Sequence, residues 1–299
     1  MATTADYFKL HFIVFLWGFS AILGKLVSIP AVELVFYRAI LAAIGMGLVI
    51  VVSKGTFKVS RDELVRLLLI GSIVCLHWLM FFGSARVSNV SVSLVGFATN
   101  SLWAAILEPW FNNTRPKKFE ILLGLVVLTG LYIIFSFDFQ YKLGLLFGVL
   151  AGFTSALFSV FNSKMVKTIP ARTITFYEMI GVFIAAAVFL PVYQQTLAED
   201  HVLHMVPSAK DWIYIALLAG VCSVYAYTVA VELMKRVSVF MIQLTLNLEP
   251  VYGIIMAVLI FQQKEKMNLN FYIGTLIILS AVIIYPLLKK RFDRTVLID

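Results

Sequence analysis

Long apolar runs separated by short polar stretches set the pattern of this chain. Ten of them, at 8–27, 32–52, 64–84, 90–111, 119–137, 143–165, 172–193, 211–233, 238–261 and 270–288, approach or exceed twenty residues. That is the length a helix needs to cross a hydrocarbon core about 30 Å thick. Backbone groups cannot stay unpaired in lipid, and the runs lack the ten-residue apolar–polar alternation of barrel strands, so helices are expected. The expected fold is an all-α integral membrane protein with ten transmembrane helices.

Composition sharpens that picture. The chain is 61% hydrophobic and 13% charged, with a mean hydropathy of +0.96. Ordinary soluble domains are about 45–50% apolar and about 25% charged, so too little polar surface remains to coat a soluble globule. The net charge of +8 would suggest nucleic acid in a soluble protein. Here the basic residues sit between apolar runs, which is the signature of membrane topology, and no nucleic-acid partner is expected. Cys75 and Cys222 both fall inside apolar runs, which favours packing over a disulfide. The first run carries no small-residue cleavage signal, so a removed signal peptide is not expected.

The short loops allow the positive-inside rule to be applied. With the N-terminus inside, the inner ends hold Lys9; Lys54, Lys58, Arg61 and Arg66; Arg115, Lys117 and Lys118; Lys164, Lys167 and Arg172; Lys235 and Arg236; and Lys289, Lys290, Arg291 and Arg294. The outer ends keep Lys25, Arg86, Lys142, Lys210, Lys264 and Lys266, and Arg38 lies within a span. Both termini are therefore expected in the cytoplasm, with the protein in the plasma (inner) membrane. The longest loop, 194–210, then faces outward, and its Glu199, Asp200, His201 and His204 are too irregularly spaced to read as a metal site.

The chain also repeats itself. Ile29-Pro30-Ala31 with Phe36-Tyr37 recurs 140 residues later as Ile169-Pro170-Ala171 with Phe176-Tyr177. Arg86-Val87-Ser88 recurs 150 residues later as Arg236-Val237-Ser238, and Gly124 as Gly274. Residues 1–139 and 140–299 are thus expected to be two copies of a five-helix unit. Because five is odd, the copies are inverted in the membrane, an arrangement from which many secondary transporters are built. Such a pair has two similar arrangements, one open to each side.

Several motifs then point to one family. Leu16-Trp17-Gly18, Phe36-Tyr37-Arg38, Val237-Ser238 leading through Leu248-Glu249-Pro250 to Phe261 and Glu265, and Gly274 resemble the EamA-type transporters of the drug/metabolite transporter superfamily. The resemblance spans the chain and is clearer in the second half: Asn100 stands where the repeat would place a counterpart of Pro250, Arg115 where it would place one of Glu265, and Glu108-Pro109 comes about two turns later. It implies ten helices in two EamA repeats and export or uptake of small metabolites, often amino acids, without ATP hydrolysis. Export, driven by a proton or metabolite gradient, is the direction it favours.

Polar groups inside spans are costly and usually face the bundle interior or a wet cavity. Glu249, beside the helix-breaking Pro250, is the candidate for proton coupling, its alternative being a carboxylate that pins two helices. Arg38 and Glu178 are equivalent under the 140-residue shift; each is a candidate substrate contact, an arginine for a carboxylate and a carboxylate for an amine, or else a gate. Trp17, His77, Trp78, Asn100, Trp103, Tyr225 and Tyr227 are further candidates to line a midplane pocket, against ordinary packing for each. Gln243 and Asn247 share one face of helix 9, while Glu249 projects about 160–200° from Asn247, so one face is expected to dominate. Gly144, Gly148 and Gly152 form a small-residue stripe for packing within the bundle or for a homodimer seam, so monomer and homodimer both stay open.

Other functions fit less well. Gly18-x5-Gly24-Lys25-Leu26 has the wrong spacing and context for a phosphate loop, so ATP-driven transport is not expected. The histidines His11, His77, His201 and His204 form no catalytic or metal set with a nucleophile or acid, which argues against an intramembrane enzyme, a metal or a cofactor. A passive channel or a lipid flippase remains compatible with the same fold. The expected partners are a small-molecule substrate and the lipid bilayer.

Overall fold

The computed structural model describes residues 2–135, 141–261 and 268–295. Among them the chain is helical throughout. We number the helices α1 (Thr4–Leu26), α2 (Ala31–Val52), α3 (Arg61–Val87), α4 (Val90–Phe111), α5 (Lys118–Phe135), α6 (Lys142–Met165), α7 (Ala171–Thr196), α8 (Ala209–Leu233), α9 (Val239–Leu246 and Glu249–Phe261) and α10 (Leu269–Thr295). Seven of these, α1 to α4 and α6 to α8, are long and apolar enough to cross a membrane. The last residues of the expected fifth span, and Lys264, Glu265 and Lys266, lie outside the described residues.

Local sequence explains where the helices begin. Thr3 with Asp6, Ser60 with Glu63 and Ser208 with Asp211 form reciprocal caps that satisfy otherwise orphaned N–H groups at the starts of α1, α3 and α8. The repeated Ile-Pro-Ala motif has one structural meaning in both halves: Pro30 and Pro170 are the N-cap residues of α2 and α7. Glu108, an apparently misplaced acid near the end of α4, accepts from the backbone N–H groups of Val239 at 3.2 Å and Phe240 at 2.7 Å. It caps α9 from another helix, where a carboxylate suits the positive end of the helix dipole.

α1 is interrupted at Phe19, between Thr4–Gly18 and Ser20–Leu26, and two further helices expected to be continuous are broken. α4 interrupts at Ala98–Thr99, between Val90–Phe97 and Asn100–Phe111, and α9 at Asn247–Leu248, between its two pieces. The breaks fall at nearly equivalent positions of the two halves. α8 differs again: its middle, Leu218–Tyr227, is wound as a π-helix.

Small residues bring the rods together. A Cβ on Gly148 of α6 would lie 2.9 Å from the Cα of Gly96 in α4, and one on Gly152 would lie 2.7 Å from Thr99 Oγ1. Gly148 and Gly152 thus face α4, and Gly144 faces Ser84 and Ser88 at the end of α3, so the stripe packs within the bundle. Gly71 of α3 and Gly181 of α7 make a second close crossing, where a Cβ on Gly71 would lie 2.8 Å from the Cα of Gly181. α4 is the most enclosed of the seven apolar spans, 83% of its most apolar stretch being buried.

Polar contacts between distant segments separate the two ends of the bundle. At the N-terminal end, Asp6 pairs with Arg236 at 3.1 Å, Thr173 donates to Thr56 O and Tyr177 to Phe57 O. At the other end, the Ser28 N–H and hydroxyl donate to Asp211, Arg86 donates to the carbonyls of Gly24, Val27 and Ile29, and Tyr37 donates to Met205 O. Successive helices thus alternate in direction.

Candidate functional site

A cavity opens between the two halves. Trp17, Arg38, His77 and Trp78 line it from the first half, and Tyr227, Gln243 and Glu249 from the second. Its walls are largely aromatic, with Phe81, Phe97 and Phe158 completing them. It reaches from Arg38, seven positions into α2, to Met234, the C-cap of α8 at the N-terminal end of the bundle.

Most polar groups on this surface are held by specific hydrogen bonds. The Arg38 guanidinium carbon lies over the Trp78 ring, 3.8 Å from its centroid, and its Nε donates to Ser223 Oγ at 2.9 Å. Ser223 passes its own proton to Leu218 O at 3.0 Å, five residues back. The π-helix is what makes these contacts available. Its wider turn also presents the Cys222 carbonyl to Trp17 Nε1 at 3.0 Å, and π segments recur at functional sites for this reason. His77 Nδ1 lies 2.9 Å from Ala151 O; a carbonyl only accepts, so Nδ1 carries the proton and Nε2 is the ring's acceptor. Gln243 is fixed to α6 by donating to Ser159 Oγ at 2.8 Å and Ser155 O at 3.2 Å.

Charge on the cavity surface is sparse and unpaired. Arg38 and Glu249 are both 3% exposed, and among the described residues neither makes an ion pair. Glu249 also has no hydrogen bond there, although it and Arg38 act on each other electrostatically. Gly18 allows α1 to approach at this depth: a Cβ on it would meet Tyr252 Cβ at 2.9 Å and Glu249 O at 3.5 Å. The glycine of the Leu16-Trp17-Gly18 motif thus serves the close approach of α1 to α9.

Five sequence candidates stand elsewhere. Tyr225 is 46% exposed and packs edge-on against Phe12, because residues two apart project to opposite sides of a helix and Tyr227 takes the inner side. Trp103 packs against Phe153, with its Nε1 buried and unpartnered. Asn100 is fully buried without a partner for either amide atom, and Asn247 donates to Ser101 at 2.7 Å. Glu178 lies behind Tyr227, which donates to it at 2.7 Å. The shared face of Gln243 and Asn247 is the reading that the structure corrects. The break at 247–248 resets the helical phase, so that Gln243 and Glu249 both meet the cavity and Asn247 turns to α4. Ser155, Ser159, Ser223 and Phe158 were not singled out from the sequence; short hydroxyls and phenylalanines are too common in such spans to stand out.

The chain's relatives agree with this architecture. A profile of the EamA-like transporter family matches twice, over residues 7–136 and 142–285. The chain belongs to the EamA-like transporter family, and is thus a multi-pass membrane transporter of the drug/metabolite transporter superfamily. A crystal structure of a protein is similar in fold, with a TM-score of 0.70 at 14% identity, covering 96% of this chain and 99% of that one. A comparison with curated proteins finds no match.

Proposed function

We propose that the protein is a secondary active transporter that binds a small organic metabolite carrying a carboxylate and an amine, such as an amino acid, in the cavity between its repeats. The observation that carries this reading is the pairing of Arg38 and Glu249: opposite charges, contributed by different repeats, on one aromatic-walled surface and without ion-pair partners. An arginine held over Trp78 and tied through Nε to Ser223 presents its remaining donors to a carboxylate, and Glu249 offers a counter-charge to an amine. Trp17, His77, Trp78, Tyr227 and Gln243 would frame the ligand, while Asn100, Trp103, Glu178, Tyr225 and Asn247 would act outside direct contact.

In this reading all ten helices cross the membrane, with inverted repeats at 1–139 and 140–299 and both termini in the cytoplasm of a cell whose plasma (inner) membrane holds the protein. The cavity then faces inward, since it extends to Met234, and the contacts of Ser28, Arg86 and Tyr37 close the outer side. Alternating access would break that outer set and form an inner one, carrying substrate outward as an exporter. The protein would work as a monomer or homodimer.

Counterflow in proteoliposomes tests the proposal, with labelled amino acids, amines and nucleosides as probes. Saturable exchange of an amino acid, lost in Arg38→Ala and Glu249→Gln, is expected. Flux that never saturates would indicate a passive pore instead, and unchanged exchange in both variants would remove those residues from the site.

A further inference from the structure

We propose that Glu178, seated behind Tyr227 and outside the cavity, is the residue that takes up and releases a proton during the transport cycle, with Tyr227 as the relay. This deepens the transporter reading and rests on it.

Glu178, Asn162 and Tyr227 form a buried hydrogen-bonded cluster, and Tyr227 is its member on the cavity wall. Glu178 is fully buried in α7. Its Oε2 accepts from Tyr227 Oη at 2.7 Å and from Asn162 Nδ2 at 3.3 Å, and Asn162 Nδ2 also donates to Tyr227 Oη at 3.0 Å. Its other oxygen, Oε1, and Asn162 Oδ1 are buried with no partner. Among the described residues no cation lies within ion-pair distance of Glu178. The titratable groups of the surrounding helices are engaged elsewhere: Arg38 of α2 and His77 of α3 at the cavity, Lys164 of α6 on Phe111 O, and Glu232 of α8 with Lys235. On α7 itself, Tyr177 donates to Phe57 O.

A lone buried carboxylate is costly, and a proton on it removes that charge. The two donors on Oε2 soften the charged form, so both states have support in the same pocket. Tyr227 is the link to water, because it lines the cavity and bonds to Glu178. In the uptake step a hydronium in the cavity gives a proton to the Tyr227 oxygen while the Tyr227 hydroxyl proton passes to Glu178 Oε2. Tyrosine ends neutral, the carboxylate ends as a carboxylic acid, and one water remains. Release runs in reverse.

The cluster is also placed to couple with substrate. Glu178 and Arg38 are equivalent in the two repeats, and both are held by the π-helical stretch of α8, Arg38 by Ser223 and Glu178 by Tyr227, four residues apart. A movement of α8 that opens the cavity therefore acts on the substrate group and on the proton group together.

Infrared difference spectra of the purified protein, taken across a pH titration without any substrate, test proton binding directly. A protonated-carboxyl band that disappears in Glu178→Gln and shifts in Tyr227→Phe is expected; an unaltered band in both variants would overturn the proposal. Should Glu178→Gln not fold, the Tyr227→Phe shift decides alone. In proteoliposomes, Glu178→Gln should retain amino acid counterflow and lose accumulation driven by a pH gradient, falling to the level of empty liposomes. Retained gradient-driven accumulation, or loss of counterflow as well, would sink the proposal. Absence of counterflow in the unaltered protein, with the infrared band present, would count against the transporter reading rather than against the proton site.

Discussion

At the scale of single residues, Arg38 shows how a costly buried charge is made usable. Its guanidinium is desolvated, held 3.8 Å from the Trp78 centroid and oriented through Nε by Ser223, which leaves the remaining donors for a ligand. A desolvated cation–π contact is worth about 2 kcal/mol. Trp78→Leu should therefore weaken substrate binding by roughly tenfold or more through loss of orientation, as read by the concentration dependence of counterflow. Arg38→Lys keeps the charge but neither the plane nor the fork, and should not restore exchange. A lysine that transports as well as arginine would show that only the charge matters. Arg38, Glu249, Trp17 and Trp78 were legible in the sequence as rare polar or aromatic groups within apolar runs. Ser223 and Ser159, which position Arg38 and Gln243, were not, since their meaning lies in which helix they face.

Among the helices, glycine decides which pairs approach. The α4–α6 crossing is tight, with a Cβ on Gly96 meeting Gly148 Cα at 2.8 Å, whereas a Cβ on Gly220 meets nothing within 4 Å. Overpacking a close crossing costs about 1–3 kcal/mol, so Gly148→Leu should lower the thermal unfolding midpoint in detergent while Gly220→Ala leaves it unchanged. Equal midpoints for both variants would contradict the crossing described. The breaks in α4 and α9 also belong at this scale. Hydropathy reads 90–111 and 238–261 as unbroken runs because an interruption of two residues changes no apolar count. Pro250 hinted at the second break and nothing so plain marked the first. The consequence was a misassigned face: projecting Gln243, Asn247 and Glu249 on one continuous helix separates residues that the break brings to the same cavity.

For the molecule as a whole, the proposed alternating access would draw on two inverted repeats, and specific contacts would choose between its two states. Asp211 accepts from Ser28 N at 2.7 Å, Ser28 Oγ at 2.5 Å and Ser208 N at 2.9 Å, closing the end opposite Met234. Hydrogen bonds to charged groups are worth about 1.5–3 kcal/mol, enough to shift a two-state population by tenfold or more. Cys222 lines the cavity and reports on that shift. In a Cys75→Ser background, a membrane-impermeant thiol reagent should label Cys222 from the side of Met234, which the proposed orientation makes cytoplasmic, and Asp211→Asn should raise labelling from the opposite side. Labelling that responds to neither side nor variant would argue against the closed outer end.

The sequence by itself determined the solvent, the class and the internal symmetry. Apolar run lengths, loop charge and repeated motifs such as Ile-Pro-Ala are one-dimensional quantities, and each follows directly from what a bilayer demands of a helix. Only the tertiary structure decided which buried polar groups share a space. It sets Arg38 and Glu249 on one cavity, Glu178 behind Tyr227, and Tyr225 and Asn247 elsewhere. Such placements depend on helical phase, and phase is reset by two short breaks and one π-helical stretch whose effect on hydropathy is nil.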